Sequence, residues 1–431
     1  MGGLGYNTLV VILGCGLLGL AAGTVGAFAL LRGRALVADA VGHAALPGVV
    51  LAALILASVG ADTRSLPPLL AGAATAGILG VLAVQAIART RRIREDAAIA
   101  IVLSTFYAAG VALLSYVQTL PGAAQAGLSK FILGQAAAMR AEDAFWAGSI
   151  ALLTLIVCLV LFQRLRAACF DPEFARVQGL SAARVDLVLL ALIVAVAVGG
   201  LQAVGLVLVV ALLVLPAATA RLLTGRLPRM LALSAAIGAF CGAAGALASA
   251  WHPDLPTGAA VVLAGAGLFT LALLFSPDRG VVPQAFRRLG RRIQAAQEHF
   301  LRACWEAQEA AGAGPGTAGD RWAPLASIAA ARHWSGPGTR LLARLLSLRG
   351  LIAVAGAEVH LTPKGATAAR RAVRAHRAVE HHLLAQGAAD TASADRLADL
   401  VEHGLPPEMA ARLLREPSAF PASPHALGGP R

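Results

Sequence analysis

The chain has 431 residues, of which 58% are hydrophobic and 14% charged, with a formal net charge of +13. This composition excludes a single ordinary soluble domain, because apolar stretches of about 20 residues, enough to cross a bilayer, recur up to Leu274. The positive charge suits cytoplasmic loops of a membrane protein better than a nucleic-acid surface. The five cysteines are scattered without a CxxC pair, which disfavours a disulfide framework and a thiolate zinc site.

Nine apolar segments are predicted to span the membrane, and eight is the rival count. The alternatives arise in residues 182–222, where Gly199 and Gly200 are the only turn signal. Arginines follow every second segment, so the N-terminus is expected outside and the C-terminal region in the cytoplasm. Residues 118–142 are predicted to form an outward loop or a partial helix. The nine segments are 7–31, 41–59, 67–88, 97–117, 143–163, 182–200, 203–222, 228–250 and 257–276.

A pair of polar residues is the exception within these apolar segments, in the run RALVADAVGHAALPG at residues 34–48. Asp39 and His43 are four residues apart, so a helix places both on one face. A carboxylate beside an imidazole suits Mn, Fe(II) or Zn, but an Asp–His hydrogen bond between two helices explains the pair equally well. Pro47 and Gly48 predict a kink or a break, where freed backbone would face a pathway.

The run around Asp39 opens an ordered series of motifs that resembles the ABC permeases for zinc, manganese and iron(II). The resemblance covers residues 5–280 and implies that Asp39 and His43 lie on the metal path. Gly42 stands where a serine is common in that family. The further motifs, in chain order, are RRIREDAAIAIVLSTFYAAGVALLS, GLSKFILGQAAAM, CFDPEFARVQGL, AVGLVLVVALLVLPAATARLL, LPTGAAVVL and LLFSPDRG.

In the third of these motifs, Asp171 and Pro172 predict the start of a short helix, since Asp is a good N-cap and proline suits the first helical position. Alone, this piece indicates only an amphipathic loop helix. The resemblance implies that it couples the permease to an ATPase subunit, with roles for Phe170, Asp171, Pro172, Glu173 and Gly179. No GxxxxGK(S/T) phosphate loop occurs, so the chain is predicted not to be an enzyme, and ATP hydrolysis is assigned to a partner.

From residue 281 the chain is predicted to leave the membrane. A basic juxtamembrane linker at 281–293 is expected to contact anionic lipid, and helical periodicity resumes at 293–311. A Gly-rich break, a helix-turn-helix-like stretch, a short strand pair and further helix to about residue 415 follow. Metal-ligand residue types recur there at helical spacing, although a solvated charged face explains the same pattern. They are His376, Glu380, Asp395, Asp399, Glu402 and His403.

A second resemblance is carried by AQEHFLRACWEAQEAAG, PLASIAAARHWSGPGTRLLARLLSLRGLIAV, HLTPKGATAARRAVRAHRAVEHHLL and ADRLADLVEH. In this order they resemble the diphtheria-toxin-repressor family of metal-dependent regulators. The resemblance implies a winged-helix region at 294–360 and metal-binding, dimerisation-type helices at 361–431. It implies two ligand sets, the primary type His299, Asp399, Glu402 and His403 and the ancillary type His376, Glu380 and Asp395.

The sequence leaves open whether this region has kept or lost DNA binding, and it favours the loss. The stretch GPGTRLLARLLSLRG, where a recognition helix would lie, offers Arg340 and Arg344 for phosphates. It contains almost no side chains that read bases and is unusually apolar for a helix in a DNA groove. The region is therefore expected to sense cytoplasmic metal and to throttle transport.

The sequence thus predicts an all-α polytopic bundle of eight or nine transmembrane helices, residues 1–280, with a small, mainly helical cytoplasmic domain that contains a winged helix. The predicted function is the permease of an ABC importer for Mn, Fe or Zn in the cell membrane. A separate ATPase subunit and an extracytoplasmic metal-binding protein are the expected partners, and the permease is expected to be a homodimer. The metal is cargo and regulatory ligand, and no covalent cofactor is expected. The alternative is a membrane-tethered, metal-dependent transcription regulator.

Overall fold

The computed structural model describes residues 5–61, 65–90, 92–119, 139–204, 206–252, 255–311, 321–332, 334–387 and 390–401. The chain forms two compact units, Met1–Gln284 and Ala285–Arg431. Most of the loop predicted at 118–142 lies outside the described residues. Helices dominate both units, and strands occur only in the second unit among the residues described.

The first unit is a bundle of long apolar helices. Within the described residues, seven helices are long and apolar enough to cross a membrane, and Val209–Leu223 is a shorter apolar helix. Helices also occupy both predicted segments between residues 182 and 222. The elements are α1 (Tyr6–Leu31), α2 (Ala35–Ser58), α3 (Leu66–Arg89), α4 (Glu95–Thr119), α5 (Ala141–Val160), α6 (Phe162–Phe170), α7 (Pro172–Val177), α8 (Ala182–Val204), α9 (Leu206–Leu223), α10 (Leu227–Trp251) and α11 (Thr257–Phe275).

Helices α1 and α10 cross with their backbones in direct contact. A Cβ atom at Gly19 would overlap the carbonyl oxygen of Gly238, and one at Gly23 would overlap that of Ser234. The Ser234 hydroxyl donates a hydrogen bond to the Gly23 carbonyl at 2.6 Å. Small residues thus recur four positions apart on both helices, the spacing that lets helices approach closely in lipid.

Helix α2 packs against α3, α4, α8 and α9. It runs without a break from Ala35 to Ser58, so the break that was one of the two alternatives predicted at Pro47 and Gly48 is wrong. The reason is packing, because Gly48 lies against the backbone of Gly72 in α3 and holds the helix in place. Pro47 has no N–H, however, so the carbonyl of His43, four residues earlier, loses its usual helical partner.

The second unit combines helices with a small sheet. The sheet has the order β1-β3-β2 with antiparallel pairing, and Val359 lies opposite both Ala323 and Val354. The strand pair predicted from the sequence is therefore present, with a third, two-residue strand beside it. The elements are α12 (Val281–Ala310), β1 (Ala323–Pro324), α13 (Leu325–Ala331), α14 (Gly336–Leu348), β2 (Ile352–Ala355), β3 (Glu358–Leu361), α15 (Pro363–Ala385) and α16 (Thr391–Val401).

Helix α12 begins in the first unit and supplies much of the core of the second. Its first half contains the residues predicted as a basic linker, 281–293. Further along, Phe300 and Trp305 are buried against residues of α13, α14 and the sheet. Arg377 of α15 and Glu309 of α12 form a buried ion pair at 2.5 Å. This pair fixes α15 beside α12.

Replacing Gly19 with alanine is expected to force α1 away from α10. Overpacking of a close contact typically costs about 1–3 kcal/mol, so the thermal unfolding midpoint in detergent should fall. Gly267→Ala is the matched control, because a Cβ at Gly267 meets no atom within 4 Å. Equal midpoints for the two variants would contradict the backbone contact.

Candidate functional sites

Asp39 and His43 lie on one face of α2, one helical turn apart. His43 Nε2 is 3.4 Å from Asp39 Oδ1, and the two side chains are 19% and 37% exposed, respectively. Their neighbours Ala38 and Ala40 are almost fully buried. The face with the Asp–His pair is therefore only partly covered by the other described helices of the chain.

The two ring nitrogens of His43 differ in their surroundings. His43 Nδ1 is buried and has no hydrogen-bond partner among the described residues. The ring of Tyr107, from α4, contacts the imidazole edge-on, with centroids 5.1 Å apart and an interplanar angle of 89°. A carboxylate oxygen, an imidazole nitrogen and the carbonyl freed by Pro47 thus lie within two turns, a donor set that suits borderline divalent metals.

Tyr107 was missed in the sequence analysis. A tyrosine in an apolar helix does not by itself indicate a metal ligand. In the sequence, Tyr107 is distinguished only by its place inside the motif RRIREDAAIAIVLSTFYAAGVALLS. The contact with His43 joins residues 64 positions apart, so only the packing of α4 on α2 reveals it. The aromatic ring restricts the rotation of the imidazole and therefore the direction in which its nitrogens point.

A charged network joins four helices at the end of the bundle where α2 starts. Arg32 Nε and Nη2 donate to Asp186 Oδ1 in α8 at 3.0 and 2.5 Å. Arg32 Nη1 donates to the Ala168 carbonyl in α6 at 2.8 Å. Arg34 forms ion pairs with Glu95, at the start of α4, and with Asp186 at 3.7 Å. The beginning of α2 is therefore tied to the chain that leads into α7.

The short helix predicted at Asp171 is confirmed. The Asp171 side chain accepts a hydrogen bond from the Phe174 N–H at 2.9 Å, and Pro172 occupies the first turn of α7. Gly179 follows the other end with a φ of +75°, a conformation that glycine adopts without strain. Both ends of α7 are capped, so this six-residue helix has a defined shape despite its length.

The outer face of α7 is apolar. Phe170, Phe174 and Val177 are exposed, and Val177 reaches 86%. Phe174 and Val177 lie three positions apart in α7 and therefore share one face of it, whereas Phe170 is the last residue of α6, directly before α7. The sequence analysis named Phe170 but neither Phe174 nor Val177. Glu173 and Arg176, 3.6 Å apart, form a solvated ion pair beside them. An apolar patch with a charged rim is typical of a surface that binds another protein.

In the second unit, five of the predicted sensor residues come together. The His376 ring lies between two carboxylates, with Nε2 3.0 Å from Asp395 Oδ1 and Nδ1 3.5 Å from Asp399 Oδ1. Glu380 Oε2 is 4.0 Å from His376 Nε2, and His299 Nδ1 is 3.9 Å from Asp399 Oδ1. Ligand atoms of His376, Asp395 and Asp399 all lie within 4.8 Å of one another.

The described residues of the two predicted ligand sets meet at Asp399. Asp399, assigned by resemblance to the primary type, lies as close to His376 of the ancillary type as to His299. Glu402 and His403, the other two predicted ligands, lie outside the described residues. Helices α15 and α16 pack against each other, which brings residues 19 to 23 positions apart into contact.

Two arginines that the sequence analysis missed form ion pairs with the carboxylate of Asp399. Arg302 Nη2 lies 2.5 Å from Oδ1, and Arg332 Nη1 lies 2.7 Å from Oδ2. Burial alone raises the pKa of Asp399, but Arg302, Arg332 and His376 outweigh it and hold this pKa below its usual range. The carboxylate is therefore ionised at neutral pH, and any metal must compete with two guanidinium groups for it.

The cluster offers nitrogen and oxygen ligands rather than thiolates. Cys304 is fully buried in the core of the second unit, and burial raises the pKa of its thiol far above neutrality. A protonated, buried thiol is a packing group. Nitrogen and oxygen ligands without a thiolate suit Mn or Fe(II) better than a thiolate-seeking ion.

Arg340 and Arg344 lie on α14 and line an open groove of about 920 Å³. Leu348 and Val354 line the same groove, and both are exposed, as is Leu341 on the same helix. The apolar character predicted for this stretch is therefore present on the surface. Such a face provides phosphate contacts at most and hardly any polar groups that distinguish bases.

The first unit matches a known transporter family along nearly its whole length. Residues 6–276, more than half of the chain, match the ABC 3 transport family. The chain belongs to the ABC 3 transport family. It is a multi-pass membrane subunit of the ABC transporter type and not an enzyme.

Similar family members are membrane subunits of metal transport systems. Manganese transport system membrane protein MntC of Bacillus subtilis (strain 168) is 39% identical over 303 residues, covering 70% of this chain and 68% of that protein. Zinc transport system membrane protein TroC of Treponema pallidum (strain Nichols) is 41% identical over 293 residues, covering 68% and 96%. The solved structure of PsaBC from Streptococcus pneumoniae in complex with Fab has a TM-score of 0.56 at 28% identity, covering 66% of this chain and 96% of that chain.

The family match does not extend into the second unit. It ends at residue 276, directly after α11, so the second unit lies outside it. Membership of the family therefore bears on Asp39, His43 and α7. The resemblance of the second unit to metal-dependent regulators stays a prediction.

Proposed function

We propose that this chain is the permease of an importer that carries a divalent transition metal, Mn, Fe(II) or Zn, across the cell membrane. The observation that carries this proposal is the Asp39–His43 pair, on a partly uncovered face of an apolar helix. An ionisable pair inside a span is costly and therefore points to a substrate pathway. The family relatives named for manganese and zinc transport support the same class of cargo.

The pair is incomplete as a metal site within one chain. Transition metals take four to six ligands, whereas one α2 offers a carboxylate, an imidazole nitrogen and a freed carbonyl. A second copy related by two-fold symmetry would present the same groups across the uncovered face. A homodimer with the path between the two α2 helices therefore fits the exposure of Asp39 and His43. An extracytoplasmic binding protein would deliver the cargo.

The energy is proposed to come from a separate ATPase subunit that docks on α7. The positive-inside rule places the arginine-rich end of the bundle, with α7, in the cytoplasm. The capped helix presents Phe174 and Val177 outward as a contact patch. Arg32 bonds both Asp186 and the Ala168 carbonyl, so a displacement of α7 is transmitted to the start of α2.

The second unit is proposed to be a cytoplasmic metal sensor. Its domains would be the winged-helix region 294–360, supported by helices α13 and α14 between β1 and the β2–β3 hairpin, and the metal-binding region 361–431. Metal at the His376 cluster would displace Arg302 and Arg332 from Asp399 and so report the cytoplasmic concentration to the permease. The apolar surface of α14 favours this role over a tethered transcription regulator.

Removal of the intramembrane ligands tests the proposed path. Asp39→Ala and His43→Ala should each reduce uptake of radioactive Mn and Zn by roughly tenfold or more, because even groups that support metal ligands are worth about 10- to 100-fold in affinity. Leu36→Ala is the control, as Leu36 is exposed on the same helix. Unchanged uptake at equal membrane levels would exclude this pair from the path.

The contact patch on α7 is tested by adding charge. Phe174→Asp with Val177→Asp should abolish co-purification of the ATPase subunit in detergent, because a carboxylate in an apolar interface remains desolvated without a partner. Gln163→Asp adds one carboxylate at an exposed position of α6, outside the patch, and should leave the complex intact. Retention of the subunit by the double variant would place the docking surface elsewhere.

Two opposite variants test the sensor. Asp395→Asn removes a ligand oxygen, so accumulation should remain high when cytoplasmic metal is abundant. Arg332→Gln removes a cation that competes for Asp399, so uptake should be throttled at a metal concentration about tenfold lower, which corresponds to about 1.4 kcal/mol. Glu358→Gln, an exposed change on β3, is the control. Shifts of both variants in the same direction would contradict competition at Asp399.

A further inference from the structure

A cavity of about 570 Å³ opens in the first unit between the start of α2, the end of α3 and the beginning of α8. Its polar lining includes Arg34, Arg89 and Arg184, with Glu95 and Asp186. It lies at the arginine-rich end of the bundle, and neither Asp39 nor His43 lines it. None of the functions proposed above uses Arg89 or Arg184.

The charges around this cavity do not cancel. Glu95 pairs with Arg34, and Asp186 is held by Arg32 and Arg34. Arg89 and Arg184 are exposed, and neither has an ion-pair partner among the described residues. Two guanidinium groups therefore face the cavity with no carboxylate assigned to them. Guanidinium groups bind phosphate oxygens through paired, charge-assisted hydrogen bonds.

The remaining wall of the cavity is mostly apolar, with Gln85 as the one further polar residue that lines it among those described. Leu82 of α3 and Leu187 of α8 both line it, and both are exposed. Leu82 lies seven residues before Arg89, which places it about 10 Å deeper along the helix. A cationic rim at the arginine-rich end of the bundle thus adjoins exposed leucines, with Leu82 about two turns from Arg89 and Leu187 about one turn from Arg184. This polarity matches that of a phospholipid.

We propose that the cavity binds an anionic phospholipid, with its phosphate between Arg89 and Arg184 and an acyl chain along Leu82 and Leu187. Basic pockets between transmembrane helices on the cytoplasmic side are suited to such headgroups. Inorganic phosphate satisfies the arginines but leaves the leucines uncovered, so it binds more weakly. Because Arg34 and Asp186 also hold the start of α2, the bound lipid stiffens the same end of the bundle.

The test measures the thermal unfolding midpoint of the purified full-length chain in detergent as phosphatidylglycerol is titrated. The midpoint should rise with phosphatidylglycerol, and phosphatidylcholine or inorganic phosphate should have little effect. Arg89→Gln with Arg184→Gln should weaken the apparent affinity about 10- to 30-fold, since each basic residue near an anionic surface contributes about 1 kcal/mol. Equal stabilisation by phosphatidylcholine or by inorganic phosphate would overturn the proposal.

Further variants separate a binding effect from a folding effect. Arg89→Lys with Arg184→Lys keeps the charge and should retain most of the lipid response. Leu187→Gln should weaken the response while both arginines remain. Arg164→Gln with Arg229→Gln removes two exposed arginines outside the cavity and should respond like the wild type. The same lipid response in the Arg89/Arg184 double glutamine variant and in the wild type would assign the binding elsewhere.

Discussion

The backbone contact between α1 and α10 organises the bundle. Because Gly19 and Gly238 carry no side chain, the two helices approach until only main-chain atoms separate them. Lipid tails are as apolar as the side chains, so such packing, rather than a hydrophobic drive, holds membrane helices together. Helix α1 also contacts α5, α8 and α9, and the arginines that follow it reach α6 and α8.

The polar groups of the first unit form two sets, one at the start of α2 and one further along the same helix. At the end of α1, Arg32 and its partners connect the segment that leads into α7 with the start of α2. Further along α2, Asp39 and His43 lie on the one face that the described helices leave partly open. Arg32 and Arg34 are paired with Asp186 and Glu95, whereas His43 keeps one nitrogen without a partner among the described residues. A fixed frame with an open ligand pair is the arrangement that a gated substrate path needs.

In the second unit, the potential metal ligands already have partners. There the carboxylate of Asp399 is already occupied by Arg302 and Arg332, and His376 is buried between Asp395 and Asp399. Metal entry would have to exchange guanidinium groups for an ion, which makes occupancy depend on metal concentration. The Asp39–His43 pair suits the passage of a metal ion. The cluster around Asp399, which is paired with two arginines, suits a response that begins only above a certain metal concentration. If the chain has the two functions proposed above, this contrast gives a physical basis for separating cargo transport from cargo sensing.

The sequence by itself determined whatever depends on local pattern. Hydropathy identified the helical segments, the spacing of Asp39 and His43 identified one shared face, and Asp171 with Pro172 identified the start of α7. Tertiary structure alone decided the features that join distant residues. Packing on α3 kept α2 unbroken at Pro47, and α4 brought Tyr107 to His43. The same holds for Arg302 and Arg332, which lie 97 and 67 positions from Asp399. Composition and periodicity describe the neighbours of a residue along the chain, whereas the partner of a buried charge is set by how the helices pack.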